Sequence, residues 1–372
     1  MHRIDTGTVD EDEFGTGKDG FTGGDPGSGI APTDLSADWC DDVQETLAQF
    51  IEGEGISLEK RTFTQLVAAV ESRLSRASLQ NMQRIASVLT VAINATAGDA
   101  SGDPSTGSER VWVSVGSGGK AAASDDGQAW IAETTGVSDT LTGIASDGNG
   151  TFVAVGFNGA IATRTFGGTW TVRTSGVAEN LQDVVYDQSH SVWIAVGANG
   201  TVLTSTNGAS WTARTSGTSE SLISCDAAAS GHVKACGTNG TILRSTDGGV
   251  SWSADTSGLA EDLNEVRHSD AEGYWLCTGS IGGLVRVDTE GTTWSSVAHN
   301  LSAPRGLATN RQSIWVTVDD LNRARYSVDG GKTWSDCGWA QDLRATAVSF
   351  DLGVWSIGAG DVFGDLVRSQ GV

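Results

Sequence analysis

Apolar positions follow two different rules along this chain. From Val111 onward, short apolar strands run into glycine at regular spacing: Val111–Gly116, Phe152–Gly156, Val192–Gly197, Val233–Gly237 and Tyr274–Gly279, with divergent copies at Ile314–Val318 and Val354–Gly358. Six tryptophans, Trp130, Trp170, Trp211, Trp252, Trp294 and Trp334, keep step with them at intervals of 40 to 42 residues. Between each glycine and the next marker tryptophan there is room for one more strand and a tight turn, as in Thr241–Ser245 before Asp247-Gly248-Gly249. A polar strand such as Trp252–Thr256 and a further strand such as Leu263–Val266 complete the module. Four short strands per repeat predict a mainly β chain, a β-propeller of four-stranded antiparallel blades over 111–372. Seven glycine-ended strands against six tryptophans favour seven blades with an unusual closure, in which Val88–Ile93 supplies a missing strand. Six closed blades plus a leftover hairpin is the alternative.

Before Val111 the pattern changes. Residues 1–35 are Gly- and Asp-rich with an acidic run, Asp10–Glu13, and predict an extended arm. From Ser36, Trp39, Val43, Leu47, Phe50 and Ile51 recur at helical spacing until Gly53 and Gly55. A second helix is expected over Phe63–Leu74, with Leu66 on its apolar stripe, and a third over Leu79–Val88. The small helical region 36–95 has too little to bury alone and is expected to pack on copies of itself or on another protein. A Gly/Ser/Asp-rich linker is expected over 96–110.

The turn before each marker tryptophan has a clear physical logic. In Ser245–Trp252 and Ser327–Trp334 an Asp side chain, Asp247 or Asp329, can accept bonds from nearby backbone N–H groups. The paired glycines, Gly248-Gly249 and Gly330-Gly331, supply positive φ. These turns resemble the Asp-box of sialidases, sortilin-type receptors and photosystem assembly-factor propellers. Around Asp126 the copy is one residue short; Asn207 replaces Asp in the third, Phe166 in the second and Glu290 in the fifth. The resemblance implies architecture and no activity, because such boxes lie at the blade periphery and serve folding.

A second resemblance lies in residues 17–70. Phe21-Thr-Gly-Gly-Asp25-Pro26, then Trp39, Val43-Gln44-Glu45-Thr-Leu47, Ile51, Gly55-Ile56-Ser-Leu58 and Gln65-Leu66 resemble the leader of many tail-fibre and tail-associated proteins of tailed bacteriophages. Cys40 or Asp41 stands where that leader has Asn, and Glu54 where it has Ala. The resemblance implies a virion-anchoring role for these residues, docking to other tail proteins, a homotrimer, and a location in the tail after assembly in the host cytoplasm. A propeller in that setting would contact a host receptor or glycan, or neighbouring virion proteins.

Charge narrows the partners. Lys+Arg number 23 against 46 Asp+Glu, a formal net charge of -23, which argues against nucleic acid and anionic membranes. No apolar run is long enough to span a bilayer and no signal peptide is visible. Five cysteines without CxxC spacing suggest neither zinc nor a disulfide framework; Cys225 and Cys236 fall on neighbouring strands without facing each other. His2, His190, His232, His268 and His299 lack metal-ligand spacing and are expected in loops or at the surface, and no phosphate loop follows Lys18. No cofactor is implied. For a glycosidase the three tyrosines, Tyr186, Tyr274 and Tyr326, offer no nucleophile site, although Tyr326 lies among Arg323 and Arg325, and no acid/base pair stands out. The expectation is a non-enzymatic virion tail protein, with a tailspike glycosidase or a cellular assembly-factor propeller as alternatives.

Overall fold

The computed structural model describes residues 9–10, 20–21, 82–85, 93–99, 111–125, 129–299, 301–311, 314–319, 324–336, 345–351, 354–359 and 366–369. Two compact units divide the chain, Met1–Glu71 and Ser72–Val372. In the first, Val9–Asp10 pairs antiparallel with Gly20–Phe21. The expected helices over 36–51 and 63–74, and Asp25, Pro26, Trp39, Val43, Leu47, Ile51, Leu58 and Leu66, lie outside the described residues.

The second unit is a β-propeller. Six blades are each made of four consecutive antiparallel strands. Their first strands are Ile93–Asp99, Leu141–Ser146, Leu181–Asp187, Leu222–Ala227, Leu263–Ser269 and Pro304–Thr309, in blades 1 to 6. The last three strands, Ala345–Asp351, Val354–Ala359 and Leu366–Ser369, form one more four-stranded sheet with Met82–Ile85, which arrives from the other end of the unit. The first strand of every sheet contacts the first strands of its two neighbours, and Ala345–Asp351 contacts both Pro304–Thr309 and Ile93–Asp99, so the inner strands close a ring. Of the two counts open from the sequence, six is the number of blades made of contiguous chain, and the remaining sheet is composite.

Three expectations change. The third helix, over Leu79–Val88, is replaced by the strand Met82–Ile85, because pairing with Leu366–Ser369 satisfies a sheet edge that would otherwise stay open. Val88–Ile93 is not the strand that leads blade 1; that strand is Ile93–Asp99, paired with Val111–Gly116. The linker over 96–110 therefore gives up Thr96–Asp99, and the propeller begins before Val111. The Ala, Thr and Gly of this strand read as linker, yet small side chains are what an innermost strand needs where sheets converge on one axis.

Apolar packing fills the spaces between blades. The marker tryptophan of each blade packs toward the blade before it: Trp170 beside Val113 and Val115, Trp211 beside Val153 and Val155, Trp252 beside Ile194 and Val196. The glycines of the Asp-box make this docking close. A Cβ on Gly249 would stand 3.1 Å from Ile194, and one on Gly331 3.0 Å from Leu276, each in the preceding blade. Both also have positive φ, 79° and 80°, so substitution there is strained twice over.

Sequence patterning did not flag Lys234, on the second strand of blade 4. Its side chain is 1% exposed, bonds Asp255 and the Gly291 carbonyl, and lies over the Trp275 and Trp294 rings. It joins blade 4 to blade 5 through charge held in an apolar interface. Lys234→Met should destabilise the propeller by about 3 kcal/mol, because the buried Asp255 loses its shortest counter-charge and keeps Arg244 alone; denaturant titration measures this, and a loss below about 1 kcal/mol would contradict the assignment. Deleting residues 1–75 should leave the melting temperature of the propeller unchanged, whereas deleting 1–90 removes Met82–Ile85 and should lower it and promote aggregation.

Candidate functional site

Alternation of up and down strands places the first-to-second loops and the Asp-box turns at one end of the ring. At that end the axial channel opens into a cavity of about 400 Å³. Its wall is asymmetric. Blades 1, 2 and 6 contribute small side chains, Ala97, Gly98, Ala145 and Ala308, while blades 3, 4 and 5 contribute Asp183, Asp226, Arg267 and Asp270. The small residues make the space, and the charged ones give it chemistry.

The carboxylates also stitch neighbouring blades. Asp99 accepts the Gly150 N–H, Asp183 the Cys225 N–H at 3.0 Å, and Asp226 the His268 N–H at 2.9 Å, each reaching the next blade. Arg267 is held by Glu265, by the Ser224 hydroxyl at 3.0 Å and by the Val266 carbonyl at 2.9 Å, with Asp183 at 3.8 Å. Arg311, from the loop after the first strand of blade 6, reaches over blade 5 to Asp226 at 2.8 Å, the Ala227 carbonyl at 3.0 Å and Asp270 at 3.3 Å. Its side chain is 48% exposed, so one face of the guanidinium looks out of the mouth.

Burial pushes Glu265 up to about 7, against the pull of Arg267 and with the help of Asp183; burial raises Asp183 as well. Glu265 can thus exchange a proton near neutral pH, but its carboxylate is paired with the Arg267 guanidinium, while Asp183 lines the cavity with Arg267 3.8 Å away.

The sequence-derived Asp-box residues lie at the same end, toward the rim. Asp247 accepts the Ser251 N–H at 2.9 Å and the Ser245 hydroxyl at 2.8 Å, and Asp329 accepts the Thr333 N–H at 2.9 Å and the Ser327 hydroxyl at 2.8 Å. Asn207 accepts two N–H groups in the same way. The indoles of Trp211, Trp252 and Trp334 close these turns by donating to the Gly208, Gly249 and Gly331 carbonyls. Trp170 and Trp294 donate instead to carboxylates of the preceding blade, Glu133 and Asp255. Trp130 is buried, and Asp126 lies outside the described residues.

One histidine departs from expectation. His268 is 2% exposed on the inner strand of blade 5, bonded to Asp270 at 2.9 Å and to the Thr289 hydroxyl at 2.8 Å. Neighbouring blades carry small or aromatic residues at that register, so the ring has room for an imidazole there. Thr289 lines neither cavity described in this chain, which leaves the trio as a structural tie. Cys225, Cys236 and Cys277 are free and buried, and Cys225 faces Ala235 across the ladder while Cys236 faces Ser224. None of the described helices is long and apolar enough to cross a membrane.

Glu265→Gln provides a test of this electrostatic arrangement. A glutamate whose folded value lies above its ordinary 4.5 contributes stability that is complete below about 4.5 and is lost as pH rises through about 7. The variant stays neutral at every pH. Its melting temperature minus that of the wild type should therefore increase between about pH 5 and about pH 8; a constant difference would contradict the burial of Glu265.

Comparison with known proteins adds two findings. Propellers titled "YCF48 bound to D1 peptide" and "YCF48 from Cyanidioschyzon merolae" superpose with TM-scores of 0.62 and 0.61, each at 16% identity over 78% of this chain and over 94% and 99% of theirs. At that identity the likeness is one of fold. Separately, 74 residues are 49% identical to the "Uncharacterized protein StfP" of Escherichia coli (strain K12), covering 20% of this chain and 35% of that protein. No family model matches the chain.

Proposed function

We propose that this chain is a non-catalytic binding propeller that holds a partner polypeptide at the mouth of its axial channel. The observation that carries this is the open, asymmetric mouth itself: small side chains on one wall, fixed charges on the other, and Arg311 half exposed between them. A cavity of this size with a few fixed polar groups suits one or two side chains of a bound segment better than a flat interface would. The fold likeness to YCF48, one structure of which is titled as bound to a D1 peptide, supports the same use of the scaffold. Among the described residues the mouth carboxylates Asp183, Asp226 and Asp270 are each engaged by arginine or by backbone N–H groups, which supports binding over glycoside hydrolysis, since such chemistry needs two carboxyl groups facing the scissile bond.

The StfP identity and the leader-like residues 17–70 favour a second reading of where this binding takes place. There the chain is a tail protein of a tailed phage: residues before the propeller dock to the virion, three copies associate through the part of 36–95 that precedes the propeller strand Met82–Ile85, and the propeller meets a host surface molecule or a neighbouring tail protein.

Filling the mouth tests the first reading. Ala145→Trp should leave the fold intact by circular dichroism yet release the partner that wild-type full chain retains in a pull-down with crosslinking; equal retention would sink it. The second reading predicts that deleting residues 1–75 abolishes incorporation into tailed particles without reducing soluble propeller. Normal incorporation of the truncated chain would count against it.

A further inference from the structure

The rim between blades 5 and 6 carries a feature that the channel mouth does not explain. A groove of about 740 Å³ opens there, lined by Arg286, Asp288, Thr292, Thr293, Ser295 and Ser296 of blade 5 and by Gly330 and Lys332 of blade 6. It exists because the fifth Asp-box has diverged. Strand register corrects the sequence reading here: Thr289, and not Glu290, stands where the fourth box has Asp247, Glu290 stands where it has Gly248, and the turn leans toward blade 4, with Thr293 bridged to Thr256 and Gly291 bonded by Lys234.

Internal repetition shows what is missing. In blade 4, Arg244 on the third strand has its counter-charge on the fourth, Asp255 at 3.2 Å. Arg286 occupies the matching place in blade 5: Arg244 pairs in register with Ser253, and Arg286 with Ser295. Two residues further on, blade 4 has Asp255 opposite Ile242, but blade 5 has Val297 bonded to Leu284. In blades 2 and 3 the same two places also form a pair, Arg173 with Thr163 and Arg214 with Thr204, both at 2.9 Å.

Arg286 alone of these arginines has lost its partner. Among the described residues it makes no hydrogen bond or ion pair, and its guanidinium lies over the Tyr274 ring, 3.7 Å from the centroid. Glu272, whose carboxylate feels the Arg286 charge, already accepts from the Tyr274 hydroxyl and the Trp315 indole. Gly330 keeps the approach open, since a Cβ there would stand 3.0 Å from the Arg286 Nη1. A rigid, half-buried fork of unused donors is matched by a carboxylate, and Lys332 adds a second positive charge in a strongly acidic protein.

We propose that this groove is a binding site for the carboxylate of an acidic sugar. The carboxylate would pair with Arg286 as Asp255 pairs with Arg244 in blade 4, reaching it beside Val297, which fills the Asp255 position and packs on the neighbouring apolar cluster. The hydroxyls of Thr292, Thr293 and Ser295, the last on the same strand face as Arg286, and the Asp288 carboxylate then meet the ring hydroxyls. A peptide with several acids fits less well because Asp288 repels a second one, and a peptide with a single acid gains no strand pairing, since the blade-edge strand Ser295–Ser296 is too short to extend. This site is separate from the channel mouth, and neither proposal depends on the other.

Titration calorimetry of the full chain with sodium glucuronate tests the assignment, with glucose and a capped Gly-Glu-Gly peptide as competitors in kind. Wild type should bind glucuronate at least tenfold more tightly than either. Arg286→Gln should weaken binding at least tenfold, as removal of a charge-assisted pair does. Val297→Asp, which restores an internal carboxylate, should weaken it equally while raising the melting temperature, and Val297→Asn should retain binding. Undetectable binding by wild type, unchanged affinity in folded Arg286→Gln or Val297→Asp, or tighter binding of glucose or the peptide would overturn the proposal.

Discussion

Convergence of the inner strands on one axis is the constraint from which the rest of this propeller follows. Each first strand must pack against two neighbours while its backbone groups stay satisfied, and the chain meets this with short polar stitches. Asn94 and Thr142 bond carbonyls of the next blade, Asp183 and Asp226 bond its N–H groups, and Asn264 bonds Pro304. Such bonds between buried partners contribute on the order of 1 kcal/mol each, more where a charge takes part. Their larger effect is geometric, since they fix the register of one blade against the next.

Satisfying that constraint unevenly creates the mouth. Where the inner strand carries Ala or Gly, as at Ala97, Gly98, Ala145 and Ala308, the axis stays open; where it carries Asp183, Asp226 and Arg267, charges that hold the blades together also face the cavity, and Glu265 pairs with Arg267. On the proposed reading, stability and recognition draw on the same side chains there. At the rim the relation is reversed, because Arg286 belongs to a pair that other blades complete and blade 5 does not.

Much of the fold was legible because two independent periodicities agree: the apolar strands ending in glycine and the tryptophans after the Asp-box turns. The conformation of Asp247 and Asp329 could be read from their neighbours alone, since a carboxylate before paired glycines has few other uses. Ile93–Asp99 was hidden because an innermost strand favours small residues, which imitate a linker. Met82–Ile85 was hidden because its partner lies at the far end of the sequence, and no local pattern reports pairing across that distance. The charged inner-strand residues did carry a signal: Asp183 and Glu265 stand two residues, and Asp226 and Arg267 four residues, after the leading leucines Leu181, Leu222 and Leu263, just before successive glycine-ended strands. Searching the repeat for what varies, in addition to what recurs, would have found them, and would have found Val297 in place of an acid.

The central claim is that partner binding takes place at the channel mouth. Hydrogen exchange of the full chain, alone and with its crosslinked partner, measures this most directly. The account predicts protection concentrated at 225–229, 267–271 and 308–311, the strand ends and loops around that cavity. Protection confined to the opposite end, at the glycine turns 157–159, 198–200 and 238–240, would contradict it.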